Sequence, residues 1–532
     1  MVACIVFYLL MMLYVQRLSG LKQANRDPPA VAYVPWLSTK PEHVFNFHIA
    51  QNQVLHKIDK RFLSFAIDTN QIRKGPIHPS LWDTKLRRSM RHLSGGYIRF
   101  GGTAADLLVF SPSLNHISPL ITPADDKIMG DGGECSFTLD CHPSLSLESV
   151  KKFSMNADNW KAINLFAKAI DMRLLFDLNV LLRGNGGWNS SNAELLLDFA
   201  FAYHYNMDFE LGNEPNSFKK LFGVNLPAQN LSADYAALRT LLNRYTLYNS
   251  SFLVGPSVTN PRMSDVGSLN SAVYDTMKPD VYLANFLQAG ADVDAVTWHH
   301  YYLGPEATTE DYLDVNTFNS FISNCRRMVD IVKINSPLKP IWIGETGSSY
   351  GGGAPGLSDR FVASLLWTDK LGVAAREGIS VIIRQSVYSG HYALLGEELS
   401  PNPDYWISIL HKRLVGKRVL NATCTDAVYD HTLRVYAHCA VDSKLTVFGV
   451  NIANAFLGLS LKINATANLY SVSSSLDSSV VYLNGELLIL DPDYQELPDF
   501  HPVLVNTSDP IPIPPYSVFF LHVDLTLPAC GN

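Results

Sequence analysis

The sequence predicts an α/β fold, a (β/α)8 TIM barrel with an appended all-β sandwich, and three observations carry that prediction. From about residue 60 to 390, short β-branched or aromatic runs alternate with longer amphipathic stretches, the texture of βα units around a parallel sheet. Eight such runs can be counted, which favours a closed barrel over a doubly wound open sheet, the second choice. After Trp406 the texture changes to alternating strands between polar turns, with no long helix.

Taken in order, the chain opens on MVACIVFYLLMMLYVQRLSG, apolar from Val2 to Val15 and followed by the small residues Ser19 and Gly20. That run is short for a bilayer span, so residues 1–20 are expected to be a signal peptide; the lack of Lys or Arg before the run leaves an uncleaved anchor as the alternative. Residues 21–60 include VFNFHIAQNQVLHKI, which is expected to lend the β-domain a strand, since chain termini often meet on one side of a fold. The barrel is expected over 61–400. Its strands are FLSFAI ending at Asp68, YIRFGG from Tyr97, RLLFDLN from Arg173, MDFELG from Met207, FLVGPS from Phe252, DAVTWHH from Asp294, PIWIGE from Pro340 and SVIIRQ from Ser380. Helix-periodic stretches lie between them, among them those from Asn159, Ala193 and Phe321. The second and third strands are unusually far apart, and most of the gap is the Pro-, Gly-, Ser- and Asp-rich stretch 111–149, expected to be an exposed loop or a removable segment. Residues 401–532, with TLRVYAH, KLTVFGVNI, SLKINA and YSVFFLHVDL, make the sandwich.

The 532 residues are 47% hydrophobic and 17% charged, which excludes disorder, collagen and coiled coil. With 42 Lys and Arg against 49 Asp and Glu the formal charge is -7, so nucleic acid is not an expected partner and any polyanion must be held by a local basic patch. Asn-x-Ser/Thr sequons at Asn189, Asn230, Asn249, Asn421, Asn464 and Asn506 point to the secretory pathway. If Cys4 leaves with a signal peptide, an even number of cysteines remains, compatible with disulfides; Cys135 and Cys141 are near neighbours, and Cys439 and Cys530 bracket the last domain. No short Cys-x-x-Cys pair repeats, and His299-His300 would point to opposite faces of a strand, so neither a metal nor a cofactor is expected.

Two carboxylates carry the chemistry. Glu214 follows the fourth strand in ELGNEPNSF, and Glu345 ends the seventh in PIWIGETGSSYGGGAPG. Polar residues at the C-terminal ends of barrel strands face the active-site mouth, although Asn-Glu-Pro by itself is also an ordinary turn. Two facing carboxylates are the minimum equipment of a glycosidase, and a gap of about 5 to 5.5 Å makes it a retaining one. Glu345 is read as the nucleophile and Glu214 as the acid/base, with Asn213 placed to hydrogen-bond the sugar 2-OH.

The segments IRFGGTAADLLVF, WNSSNAELLLDF, ELGNEPNSF, VTWHHYYL, GETGSSYGGGAPGLSD and PDYWISILHKRLVG resemble the heparanase family, glycoside hydrolase family 79, over the chain from about Phe62 to its end. The resemblance implies a retaining endo-β-glucuronidase that cuts heparan sulfate, with secretion and delivery to the extracellular matrix and lysosome. Glu214 and Glu345 fall on the family's acid/base and nucleophile. It further implies a glucuronate-carboxylate site at Gly351, Gly352 and Tyr392, with Tyr350 and Gly390 beside it. Sugar contacts are implied at Asp68, Asn70 and Thr103, and further cleft positions at Asn260, Arg262, His300 and Tyr302. Trp298 and His299 are read instead as barrel packing. A disulfide between Cys439 and Cys530 is implied, as is excision of the 111–149 linker to leave small and large chains as a heterodimer.

The chain departs from the family in its basic clusters. Lys151 and Lys152 remain of the first, where Ser154 replaces the next cation, and the second is reduced to Arg262; Lys412, Arg413, Lys417 and Arg418 remain of the third. Fewer cleft cations leave the preferred sulfation of the substrate open. An exo-acting β-glucuronidase is the enzymatic alternative. A non-catalytic heparan-sulfate-binding relative is the other, and Glu345 within GETGSSYGGG argues against it.

Overall fold

The computed structural model describes residues 34–73, 79–113, 152–261 and 276–531. The segment expected to be a signal peptide or anchor, nearly all of the 111–149 insertion with Cys135 and Cys141, and the candidate residues Lys151 and Arg262 lie outside them.

Eight parallel strands form the barrel: β1 (Leu63–Asp68), β2 (Tyr97–Gly101), β3 (Arg173–Leu178), β4 (Met207–Leu211), β5 (Val254–Val258), β6 (Ala295–Leu303), β7 (Ile341–Ser349) and β8 (Ile379–Arg384). They pair in the order β4-β3-β2-β1-β8-β7-β6-β5. A parallel bridge between Phe209 and Leu253 returns β5 to β4, so the sheet closes on itself as a TIM barrel rather than ending in two open edges. A helix follows each strand: α1 (Thr84–His92), α2 (Ala157–Ala169), α3 (Ser191–Ala202), α4 (Ala228–Leu242), α5 (Pro279–Gln288), α6 (Val315–Asn335), α7 (Phe361–Arg376) and α8 (Pro403–Leu414). Their starts are set locally. Asp83 accepts from the Leu86 N–H at 3.0 Å, Asn156 accepts from that of Asn159 at 2.9 Å, and Pro occupies the first turn of α5 and α8. The last helix runs beyond residue 400, where the sequence alone placed the end of the barrel. It packs on α7, with Asp404 accepting from Ser364 at 2.8 Å and Ser408 from the Trp367 indole at 3.0 Å.

Strand alternation divides the barrel interior into two levels. Ala66, Tyr97, Leu175, Val254, Ala295, Trp342, Val381 and Ile383 form an apolar cluster. Two residues further along β1, β2, β3 and β6, the same faces carry Asp68, Arg99, Asp177 and Thr297.

The β-domain has a large sheet built on Leu433–Ala440, Leu445–Asn451, Ser517–Val523 and Thr466–Ser473, paired antiparallel, and a smaller sheet of four strands. His43–Ile49 lies inside the smaller sheet, parallel to Leu457–Ser460 and antiparallel to Ala422–Cys424. Cys439 and Cys530 form a disulfide. The helix α7 is buried from Phe361 to Ala375 because the sandwich covers it. Arg434 and Tyr436 of the sandwich both donate to Asp369 of α7, the former at 2.6 Å.

Candidate active site

Glu214 lies three residues beyond β4, in left-handed backbone with φ 53°. That conformation costs a non-glycine residue roughly 1–2 kcal/mol, so the surrounding contacts must hold it. They do so at successive amides: Asp177 accepts from Gly212 N–H at 2.9 Å, Asp106 from Asn213 N–H at 2.9 Å, and the Ser257 carbonyl from Glu214 N–H at 3.0 Å.

Glu345 reaches the mouth through a bulge. Alternation along β7 puts Trp342 inside and Ile343 outside, so Gly344 belongs inside and Glu345 outside. Both flanking strands instead register an extra residue in β7: Ile343 pairs with Trp298 but Glu345 with His299, and Ile343 pairs with Ile382 but Thr346 with Arg384. Gly344 and Glu345 therefore both face inward. Gly344 faces Thr297, Glu210 and His299, the nearest atoms a Cβ there would meet at 3.4–3.5 Å, ordinary contact distances.

The two carboxylates line one cleft with Asp68, Gly102, Thr103, Asn213, Lys220, Tyr301 and Tyr350. Glu345 Oε1 accepts from Tyr301 O–H at 2.7 Å and Oε2 from Arg99 at 2.8 Å. Burial pushes the Glu345 carboxyl up, but the charges of His299 and Arg99 and the bonds from Tyr301 and Arg99 outweigh it and hold its pKa below the usual carboxylate value. Glu214 Oε1 lies 2.9 Å from His299 Nδ1. Beneath the pair, the fully buried Arg99 also donates to Glu210 at 2.6 Å and to Asn213 Oδ1 at 2.8 Å. Burial works against its charge, yet Glu210, Glu345 and Asp177 more than offset this and raise its pKa. Desolvation lifts Asp106 to about 7 and Asp177 well above the ordinary range, the opposite direction to Glu345.

The remaining residues singled out from the sequence divide into groups. Asp68 accepts from Gln385 Nε2 at 3.1 Å and from Asn70 N–H at 2.8 Å; a Cβ on Gly102 would lie 2.8 Å from its carboxylate, and Gly102 also has φ 105°, so this position requires glycine. The Gly352 carbonyl accepts from His391 N–H at 2.6 Å, which docks the Gly351–Gly352 turn onto the segment bearing Gly390 and Tyr392. The Tyr392 ring stacks 6.3 Å from that of Tyr301. Asn70 is buried and its Oδ1 accepts from Arg73 at 2.6 Å, while Asn260 bonds the Tyr301 carbonyl at 3.1 Å from behind. Lys152 is exposed and outside the lining of this cleft. All six sequon asparagines are exposed.

His300 and Tyr302 require correction. They were expected in the cleft, but both face the helical layer, where the His300 ring lies 4.5 Å from Phe321 and 4.9 Å from Tyr302. His299 and Tyr301 face the carboxylates, so the reading of His299 as packing is corrected too. Trp298 is buried in the core. The sequence reading also passed over Arg99, Gln385 and Lys220. For Arg99 a signal existed: a lone cation inside the apolar strand YIRFG implies buried carboxylate partners. A larger cavity of about 710 Å³ opens beside Phe62, Ser94 and Lys412, at the opposite end of the strands, and contains no carboxylate pair. Among the described residues no group of three His, Cys, Asp or Glu is placed to hold a metal ion.

The sequence profile of glycosyl hydrolase family 79, N-terminal domain, matches residues 77–372. Heparanase from Bos taurus is 35% identical over 514 residues, covering 90% of this chain and 91% of its own. Hyaluronoglucuronidase from Hirudo nipponia is 32% identical over 476 residues, 84% of this chain and 90% of its own. Among solved structures, a 4-O-α-L-rhamnosyl-β-D-glucuronidase from Fusarium oxysporum 12S matches with a TM-score of 0.63 at 15% identity, over 90% of this chain and 100% of that one, a likeness of fold.

Proposed function

The chain belongs to glycosyl hydrolase family 79 and is a glycoside hydrolase, and on that premise we propose that it is a retaining endo-β-glucuronidase acting on heparan sulfate. The observation that carries the mechanism is the seating of Glu345: hydrogen bonds from Tyr301 and from the buried Arg99 guanidinium, with the charge of Arg99, keep it ionised, as a nucleophile must be. In the first step a Glu345 oxygen bonds to the anomeric carbon while the glycosidic bond breaks and Glu214 protonates the departing oxygen. In the second, Glu214 takes a proton from water, whose oxygen displaces Glu345 and leaves a β-configured product. Arg99 occupies the carbonyl end of Asn213, so the amide donor end is the one left for the sugar 2-OH. Consecutive glycines at Gly351 and Gly352, with φ 69° and 87°, suit a backbone anion site for the glucuronate carboxylate.

The substrate class is supported by the relative named heparanase and by Lys220 at the cleft. Passage through the secretory pathway and excision within 111–149 to a two-chain enzyme belong to the same proposal; N-terminal sequencing of the secreted protein tests both. The central test incubates the purified protein with size-defined heparan sulfate and follows products by size and by NMR. Internal fragments with the β-anomer first are expected. Release of single terminal sugars would make the enzyme exo-acting, an initial α-anomer would overturn the retaining mechanism, and binding without cleavage would make the chain a non-catalytic relative.

A further inference from the structure

The bulge that turns Glu345 inward is itself held from behind. Lys370 projects from α7 and is only 1% exposed, and its Nζ donates to Thr346 Oγ1 at 2.7 Å, to the Gly347 carbonyl at 2.7 Å and to the His300 carbonyl at 3.4 Å. Thr346 Oγ1 in turn donates to the His300 carbonyl. No carboxylate lies within ion-pair distance of Nζ among the described residues, and Nζ also lies 4.2 Å from the ring of Tyr302 and 5.3 Å from that of Phe321. Burying a lysine is costly, and its Nζ is directed at three strand oxygens. Two of those oxygens belong to the residues directly after the bulge, and the third to the residue between His299 and Tyr301.

We propose that Lys370 is a positioning residue for catalysis: by joining these oxygens of β6 and β7 it fixes the bulged register that brings His299, Tyr301 and Glu345 to one face. Without those donors, β7 loses the contacts that favour the bulge over plain alternation, and Glu345 shifts relative to Glu214 and the anomeric carbon. The inference rests on the assignment of Glu345 as nucleophile.

The experiment uses the full chain, the variants Lys370→Met and Thr346→Val, and 2-deoxy-2-fluoro-glucuronyl fluoride, which reacts as Glu345 bonds to C1 and fluoride leaves. Mass spectrometry of the wild-type digest should find the label on Glu345; a label elsewhere, or none, overturns the nucleophile assignment and this inference with it. With wild-type labelling established, folded Lys370→Met should label and turn over about 100-fold more slowly with the Michaelis constant within twofold, the loss expected when a reacting group moves by about 1 Å. Thr346→Val removes one of the three acceptors, and about tenfold is expected. It decides the question if Lys370→Met does not fold. Wild-type labelling and turnover in Lys370→Met, or in Thr346→Val where that variant decides, would overturn the positioning role alone.

Discussion

The apolar and charged levels of the barrel interior come from the same strands, only two residues apart, yet they work in opposite ways. Tyr97 and Trp342 meet with ring centroids 5.0 Å apart and tilted by 41° in the apolar level, where packing and exclusion of water dominate. Directly above Tyr97, Arg99 is surrounded by Glu210, Asp177, Glu345 and Asn213. A buried ion network of this kind is weak evidence for stability, because desolvation offsets most of its attraction. What it does supply is a fixed electrostatic setting for Glu345. The lower level therefore holds the barrel closed and the upper level holds the chemistry, and mutations should separate the two.

The largest separation should come from Glu345→Gln, which keeps the shape of the upper level and removes the proposed nucleophile. Activity on heparan sulfate should fall by about 10⁴-fold or more while the melting temperature changes little, and near-normal turnover would remove the assignment. Trp342→Ala should do the reverse. A cavity in the lower level should destabilise by about 3–5 kcal/mol in denaturant titration, with turnover per folded molecule far less affected. Activity loss without stability loss would mean that the two levels are not independent.

A finer test is internal to β6. His299→Ala should lower kcat by about 100-fold because His299 touches Glu214, whereas His300→Ala should act on stability through its contact with Phe321. The opposite outcome would show that the face assignment of β6 is wrong. The smallest effect is expected for Tyr301→Phe, which removes one hydrogen bond to Glu345 and should cost about tenfold in kcat. Its sharper signature is pH. The folded Glu345 pKa lies below the usual ~4.3, so the stabilisation from its ionised form is complete above that value and is lost as pH falls through the lowered one. Without the Tyr301 bond the folded pKa rises, and the acidic limb of the kcat/KM profile should move to higher pH; an unmoved limb would show that Tyr301 does not tune the nucleophile.

Much of the fold was legible because each βα unit announces itself by a change of period, and all eight strands lie where the apolar runs stand. The end of the barrel was less legible: α8 reads as the start of a new region since Trp406 and its neighbours are apolar on several sides, and only the packing against α7 shows why. Glu214 was legible as a residue just past β4, but Glu345 does not end its strand as the sequence suggested: β7 continues to Ser349, because Thr346, Gly347 and Ser349 still pair with β6, and Glu345 sits at a bulge within it.

What the sequence by itself determined is the set of units, their order, and the two strands, the fourth and the seventh, that bring carboxylates to the mouth. The tertiary structure alone decided which side chains meet there. The run HHYY reads the same in either register of a two-residue repeat, so nothing local tells His299 and Tyr301 from His300 and Tyr302. The extra residue in β7 is likewise set by pairing with β6 and β8 on both sides and by Lys370 on a helix that follows, and none of these partners is adjacent in sequence. Side-chain periodicity specifies a face only up to such shifts, and long-range pairing removes the ambiguity.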